Sequence, residues 1–287
     1  MTNQLSIWVG PEGVPGSEVL TLARRVEELG YPMLWVNETL GREPFALCAA
    51  LGAVTTRLVL GTGVANVYNR HPGVMKQGAN TIAELTGGRF VLGLGVSSPQ
   101  IVERQRGIAY DKPLSFLREF LESYDSARYM AVPPAQPVPI VLAALGPKML
   151  ELASEHAGAI TYNVPPEHTA MARPLVGSAT LYVEQMVVLT TDAEKARAVA
   201  ASTLRFYARA PGYRNMWKAC GFTDDDIDNG SNRWLDAIVA WGDEATIRRR
   251  LDEQFAAGAD HVCIQIFDPD GGPGIDDRAL AAFAPGA

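Results

Sequence analysis

PIVLAALGPKMLELASEHAGAITYN, residues 139–163, is the stretch on which the fold turns. Ile140–Ala143 is a short apolar run. Prolines 133, 134, 137 and 139 bound it on one side and Gly146-Pro147 on the other, so it reads as a strand. Lys148–Ala157 carries a helical period, and Ala159–Tyr162 reads as a further strand. Parallel neighbours need a crossover connection, and a strand–helix–strand unit supplies one.

The same unit recurs in both directions. Towards the N-terminus, Leu5–Val9 is a strand broken by Gly10 and Pro11. Ser17 is the expected N-cap of a helix that buries Val19, Leu22, Ala23, Val26 and Leu29 on one face and ends at Gly30. Met33–Val36, Leu58–Gly61 and Phe90–Leu94 follow as strands, with helices over Phe45–Val54 and Pro72–Leu85. A long helical region then starts at Pro113. Towards the C-terminus, Ala179–Leu189 is a strand, Asp192 caps a helix through Arg205, and residues 209–242 are irregular or carry short helices. Asp243 caps the helix EATIRRRLDEQFAA, and His261–Phe267 is the eighth strand. These strands are apolar on both faces, as expected where helices cover one side and a packed interior the other. The expected fold class is therefore α/β, a (β/α)8 TIM barrel forming a single domain over 1–287. The insertions follow the fourth and seventh strands. A doubly wound open sheet is the alternative. Against it, no G-x-G-x-x-G follows the first strand, and GLGVSS at 93–98 lacks a third glycine.

Composition narrows the function. The 287 residues are 47% hydrophobic and 20% charged, with a net charge of −7, which argues against bulk nucleic-acid or anionic-membrane binding. Cys48, Cys220 and Cys263 lie far apart, with neither metal-ligand nor redox spacing. No metal site is expected, and Asp224–Asp226 read as a solvated cap cluster. The first residues lack the pattern of a signal peptide, and no apolar run approaches ~18 residues, so a cytoplasmic location is expected.

In such a barrel the site forms at strand C-termini and the loops after them. Those ends are Asn37-Glu38-Thr39, Gly61 to Asn66, Gly93 to Ser98, Ala143 to Pro147, Asn163 and Gln265. The set is small and nearly neutral. Its glycines let a ligand plane approach the main chain, and N–H groups at Leu145–Lys148 suit an anion. This composition suits a flat, phosphate-bearing cofactor that brings its own reactivity. Each glycine is equally well explained as a turn residue, Glu38 as a cap, and Lys148 as a solvated side chain. His71 could line a site, His156 reads as structural, and His168 and His261 carry no signal.

Five stretches carry a resemblance: LWVNE (34–38), RLVLGTGVANVYNRHP (57–72), GGRFVLGLGVSS (87–98), the 139–163 segment, and GDEATIRRRLDEQFAAGADHVCIQ (242–265). In order and spacing the chain resembles the luciferase-like flavin and deazaflavin oxidoreductases, in particular the short branch assigned to coenzyme F420. The resemblance implies a barrel with the cofactor ring over the strand C-termini. It also implies a non-prolyl cis peptide in a bulge after the third strand, by position Gly63–Val64. Carried over by position, Thr39, Val64, Ala65 and Asn66 flank the ring, Gly95, Val96 and Ser97 face it, and Ala143 and Ala144 approach it. Leu145, Gly146, Pro147 and Asn163 would hold its phosphate end. Where sugar-phosphate dehydrogenases of the family carry an acidic residue followed by His, this chain has Glu38-Thr39. Their acid/base glutamate falls at about Ser98. Both proton-transfer groups are missing, which disfavours alcohol oxidation. Hydride donation to an electron-poor acceptor remains, with a proton from Glu38, Tyr68 or water. The cofactor expected is F420. FMN, in a monooxygenase of the same fold, is the alternative, and a non-catalytic cofactor-binding barrel is a further one. A homodimer through the helices near the second and third strands is implied by resemblance. Residues 99–115 and 206–235 are expected to shape the substrate pocket.

Overall fold

Ten apolar runs pair into one parallel sheet in a computed structural model that describes residues 3–286. They are β1 (Gln4–Val9), β2 (Met33–Val36), β3 (Val59–Thr62), β4 (Ala65–Asn66), β5 (Phe90–Gly95), β6 (Ile140–Ala143), β7 (Gly158–Thr161), β8 (Thr180–Leu189), β9 (Val239–Gly242) and β10 (His261–Phe267). The order β1-β2-β3-β5-β6-β7-β8-β10 returns to β1, so the sheet closes into the expected eight-stranded barrel. Closure leaves no edge among those eight strands.

The core has two layers. Trp8, Met33, Trp35, Val91, Val141, Ile160, Tyr162 and Cys263 fill the barrel interior. A larger apolar shell, including Leu34, Val36, Leu60, Leu92 and Leu142, packs the outward strand faces against the helices. Alternation along each strand divides the residues between the layers: Trp35 faces in, and Leu34 and Val36 face out.

The helices at 44–54, 72–85, 193–207 and 244–256 start and stop within one or two residues of their expected limits. Asp192 and Asp243 cap as expected, accepting from the N–H of Glu194 and of Thr246. Ser17 does not cap. Pro15 takes that position, the helix runs Gly16–Glu28, and Ser17 lies inside its first turn. The 147–153 helix is shorter than expected, stopping before Ser154.

Two of the elements that were not anticipated adjoin β8. A helix over Pro166–Val176 links β7 to β8, although Pro165, Pro166 and Pro174 argue against one. Pro166 is tolerated because it occupies the first helical position, where no N–H is needed. The second is β9, which follows directly on the short helix Asn232–Ile238. Strand β8 is ten residues long, and β7 covers only Thr180–Val183 of it. Strand β9 takes Met186–Leu189 on the edge that β7 leaves. The expected insertions lie where the sequence puts them. The first, between β5 and β6, carries a π-helical turn at Gln100–Gln105 and a helix at Pro113–Ser126. The second, between β8 and β10, carries helices at Ala193–Tyr207, Pro211–Ala219, Asp224–Asn229 and Asn232–Ile238 before β9.

Candidate active site

The third strand is interrupted at its C-terminal end. Gly61 pairs with Val91, and pairing resumes at Ala65 with Leu94. Three residues on one strand, Thr62 to Val64, therefore lie opposite two on the other, Leu92 and Gly93, which is a β-bulge. Its Gly63–Val64 peptide is cis, at the expected position. The Trp8 indole N–H donates to the Gly63 carbonyl at 3.0 Å, and the Thr62 hydroxyl donates to the Gly93 carbonyl at 2.7 Å. Close approach explains the neighbouring glycines. A Cβ on Gly93 would lie 1.9 Å from the Thr62 oxygen, and one on Gly95 would lie 2.5 Å from Val64 Cγ2.

Above this bulge opens a cavity of about 440 Å³. Of the expected cofactor residues, Thr39, Gly63, Val64, Asn66, Gly95, Val96, Ser97, Ala143, Ala144, Leu145 and Gly146 line it. Three do not. Ala65 is fully buried and turned towards the helices, as alternation requires once Asn66 faces the cavity. Pro147 is exposed at the start of its helix. Asn163 is buried beside the floor in a left-handed conformation (φ 55°). Gln265, at another strand end, also lies outside the lining.

Glu38 lines the cavity, with only 6% of its side chain exposed. Its Oε2 accepts from the Asn66 N–H at 2.8 Å and from Arg70 Nη1 at 2.8 Å, and its Oε1 accepts from Asn69 Nδ2 at 2.9 Å. A carboxylate held this way is an anchor for the 66–70 turn, with both oxygens engaged. Tyr68, the other expected proton source, is not part of the cavity lining. Its ring stacks on Phe116 at 4.2 Å, and its buried hydroxyl finds no partner among the described residues. Thr39 donates from its hydroxyl to Glu12 Oε1 and accepts at its carbonyl from Arg106 Nη2 at 2.9 Å.

Sequence reasoning missed the aromatic walls. Trp8 and Tyr162 rise from the barrel interior and meet edge to face at 6.0 Å. Phe206, Tyr207 and Tyr213 descend from the second insertion, and Tyr110 from the first. The expected pocket-shaping ranges contain these last four, but nothing in their sequence singles them out. His168 was dismissed, yet its Nε2 lies 2.8 Å from the Leu145 carbonyl. A carbonyl only accepts, so Nε2 carries the hydrogen. Burial lowers the pKa of this imidazole, and the neutral ring holds the Leu145–Gly146 loop from behind.

Glu184, on β8, was also missed. It is 1% exposed, and its Oε2 accepts the Asn163 N–H at 2.9 Å. Burial pushes its carboxyl up to about 8, and the Asn163 N–H partly opposes that rise. The Asn163 carbonyl in turn accepts from the Trp217 indole at 2.8 Å.

Among the described residues, no Lys, Arg or His lines the cavity, and Glu38 is the one carboxylate that does. The volume is that of a small-molecule site. The bulge and Gly95 leave a smooth floor fit for a planar ring, and Ser97, Leu145 and Gly146 could meet its polar tail through main chain and hydroxyl. A ring that carries its own redox chemistry fits these residues. A reaction that needs a strong protein base in contact with substrate does not.

Comparison with known proteins agrees with this geometry. The chain is 30% identical over 175 residues to a 5,10-methylenetetrahydromethanopterin reductase of Methanolobus tindarius, covering 54% of this chain and 53% of that one. The chain spans about half the length of the curated relatives it matches. The fold also matches the coenzyme F420-dependent tetrahydromethanopterin reductase of Methanopyrus kandleri, with a TM-score of 0.75 at 18% identity over 99% of this chain and 98% of that one. It matches as well the FMN-complexed oxygenating constituent of 3,6-diketocamphane monooxygenase from Pseudomonas putida, with a TM-score of 0.74 at 12% identity over 99% and 97%. Residues 1–261 match the family model described as luciferase-like monooxygenase, and the chain belongs to that family.

Proposed function

We propose that this protein is an oxidoreductase in which reduced F420 delivers hydride to a neutral, electron-poor small molecule. The observation that carries the reading is the state of Glu38. Both of its oxygens are engaged by Asn66, Asn69 and Arg70, so among the described residues no free carboxylate or imidazole faces the cavity to take a hydroxyl proton. Alcohol oxidation would need one, whereas reduction of an activated double bond or imine does not. A methylenetetrahydromethanopterin reductase among the relatives, and an F420-dependent reductase among the neighbours in fold, support the same direction.

F420, when bound, would supply the hydride chemistry. The protein would bind and orient. Val64, presented by the bulge, and Gly95 would hold one ring face. Ser97, Leu145 and Gly146 would hold the tail, with His168 steadying their loop. The acceptor would lie against Tyr110, Phe206, Tyr207 and Tyr213, which exclude water and offer no charge to an ionic substrate.

The test is an anaerobic single turnover with reduced F420, bearing deuterium at its hydride carbon, and a panel of enones and cyclic imines. The expected result is stoichiometric ring oxidation with deuterium in the product carbon. Ring oxidation only on admitting dioxygen, with oxygen in the product, would replace this reading with that of an oxygenase.

A further inference from the structure

Two polar side chains of the cavity wall are held by a residue that stands outside it. Asn37 and Thr39, just past the end of β2, line the cavity, whereas Glu12, on the loop after β1, does not. A single oxygen of Glu12, Oε1, accepts from Asn37 Nδ2 at 2.6 Å and from the Thr39 hydroxyl. Two glycines make room for this contact. A Cβ on Gly41 would lie 2.5 Å from Glu12 Cγ, and one on Gly10 would lie 3.1 Å from both Glu12 Oε2 and Asn37 Nδ2. The loop is fixed in turn by Arg42, whose guanidinium donates to the Pro11 and Val14 carbonyls. The contact sets hydrogen-bond polarity. A carboxylate oxygen only accepts, so the Asn37 amide turns its nitrogen to Glu12, and the Thr39 hydroxyl commits its one hydrogen there. Asn37 Oδ1 and the lone pairs of Thr39 Oγ1 are left, and neither atom accepts from a donor among the described residues.

We propose that Glu12 is a positioning residue that presents these two oxygens to the cavity, and that the substrate carries an O–H or N–H group which they accept. The proposal rests on the reductase reading above and narrows its substrate class to electron-poor molecules bearing such a donor. Glu12 acts through Asn37 and Thr39, which touch the substrate. Selection follows from what a mismatched ligand leaves behind. A molecule whose donor is capped by a methyl group covers the same oxygens without bonding to them, and a covered, unpaired acceptor is costly. A site built to bond a substrate O–H or N–H discriminates against the analogue that lacks it.

The probes are 4-hydroxycyclohex-2-enone and its methyl ether, 4-methoxycyclohex-2-enone, which differ in that donor. Their Kd values, measured by ligand-observed NMR with and without F420, read binding apart from chemistry. The hydroxy compound should bind the wild-type protein about tenfold more tightly than the ether. In turnover with reduced F420 the same preference should appear in KM rather than in kcat. Glu12→Ala frees the amide and the hydroxyl to turn, and should bring the two Kd values together. Glu12→Gln offers an amide oxygen in place of Oε1 and should restore the preference. Thr39→Val removes one of the two oxygens and should reduce it. Equal binding of the two compounds by the wild-type protein, binding of neither, or a Glu12→Ala protein that keeps the wild-type ratio overturns the proposal. In the last case Glu12 is only a staple between loops, and its loss shows in the melting temperature alone. Selective binding of the hydroxy compound without turnover by reduced F420 supports the role of Glu12 and overturns the reductase reading instead.

Discussion

A methyl group at residue 95 would sit 2.5 Å from Val64 Cγ2, so this glycine sets how close the bulge comes to the cavity. We expect Gly95→Ala to push Val64 into the ring site and weaken ring binding. The overpacking should cost about 1–3 kcal/mol of stability, read by urea unfolding alongside a binding titration. Glu38→Ala strands the Asn66 N–H and half of the Arg70 pairing in a largely buried place. It should cost about 3 kcal/mol and loosen the cavity wall at Asn66. Residues such as these were legible in the sequence because their backbone position at a strand end assigns them to the cavity. Tyr207, Tyr213 and Glu184 were not. Their place depends on how a long insertion folds back and on which face of β8 turns inward. His168 illustrates the same limit, since its role exists only through a contact with Leu145, 23 positions away.

At the scale of elements, the strands and helices with strong caps were readable. Asp192 bonds to the first-turn N–H groups of its helix. Asp192→Ala should cost about 1 kcal/mol and fray the helix that carries Phe206 and Tyr207, seen as a lower unfolding midpoint and faster amide exchange over 193–207. The second insertion is braced elsewhere too: Arg214 pairs with Asp224 and Asp228, and Thr223 and Asp226 form a capping box. The expected cap cluster at Asp224–Asp226 is therefore part of this bracing. The helix at 166–176 and the strand β9 escaped notice for opposite reasons. Prolines mask the first, and the second is four residues that gain an identity only by pairing with the overhang of β8. Replacing His168 with Phe should leave the helix intact but release the Leu145 carbonyl. The expected outcome is weaker binding of the cofactor tail with little change in melting temperature.

For the whole molecule, two buried groups on adjacent strands shape stability against pH. Glu184 titrates near 4.5 when unfolded and near 8 when folded, so the unfolded chain releases its proton first. Its contribution is therefore full below 4.5 and is lost as pH rises towards 8. His261 is lowered by burial from 6.5 to about 4, so its contribution is full above 6.5 and is lost as pH falls towards 4. From these two groups, stability should hold level between about 4.5 and 6.5 and decline on either side. Glu184→Gln should remove the alkaline decline, a gain of a few kcal/mol near pH 8, measured by urea unfolding across pH. Among the described residues, no helix is long and apolar enough to cross a membrane. What the barrel as a whole provides is one nearly uncharged bowl at the strand C-termini. On the proposed reading, this bowl holds a deazaflavin in preference to a flavin. Titrating the purified apoprotein separately with F420 and with FMN, and following ring fluorescence, tests it most directly. Saturable, tight binding of F420 with weak or no binding of FMN is the predicted result. Tight binding of FMN alone would contradict it.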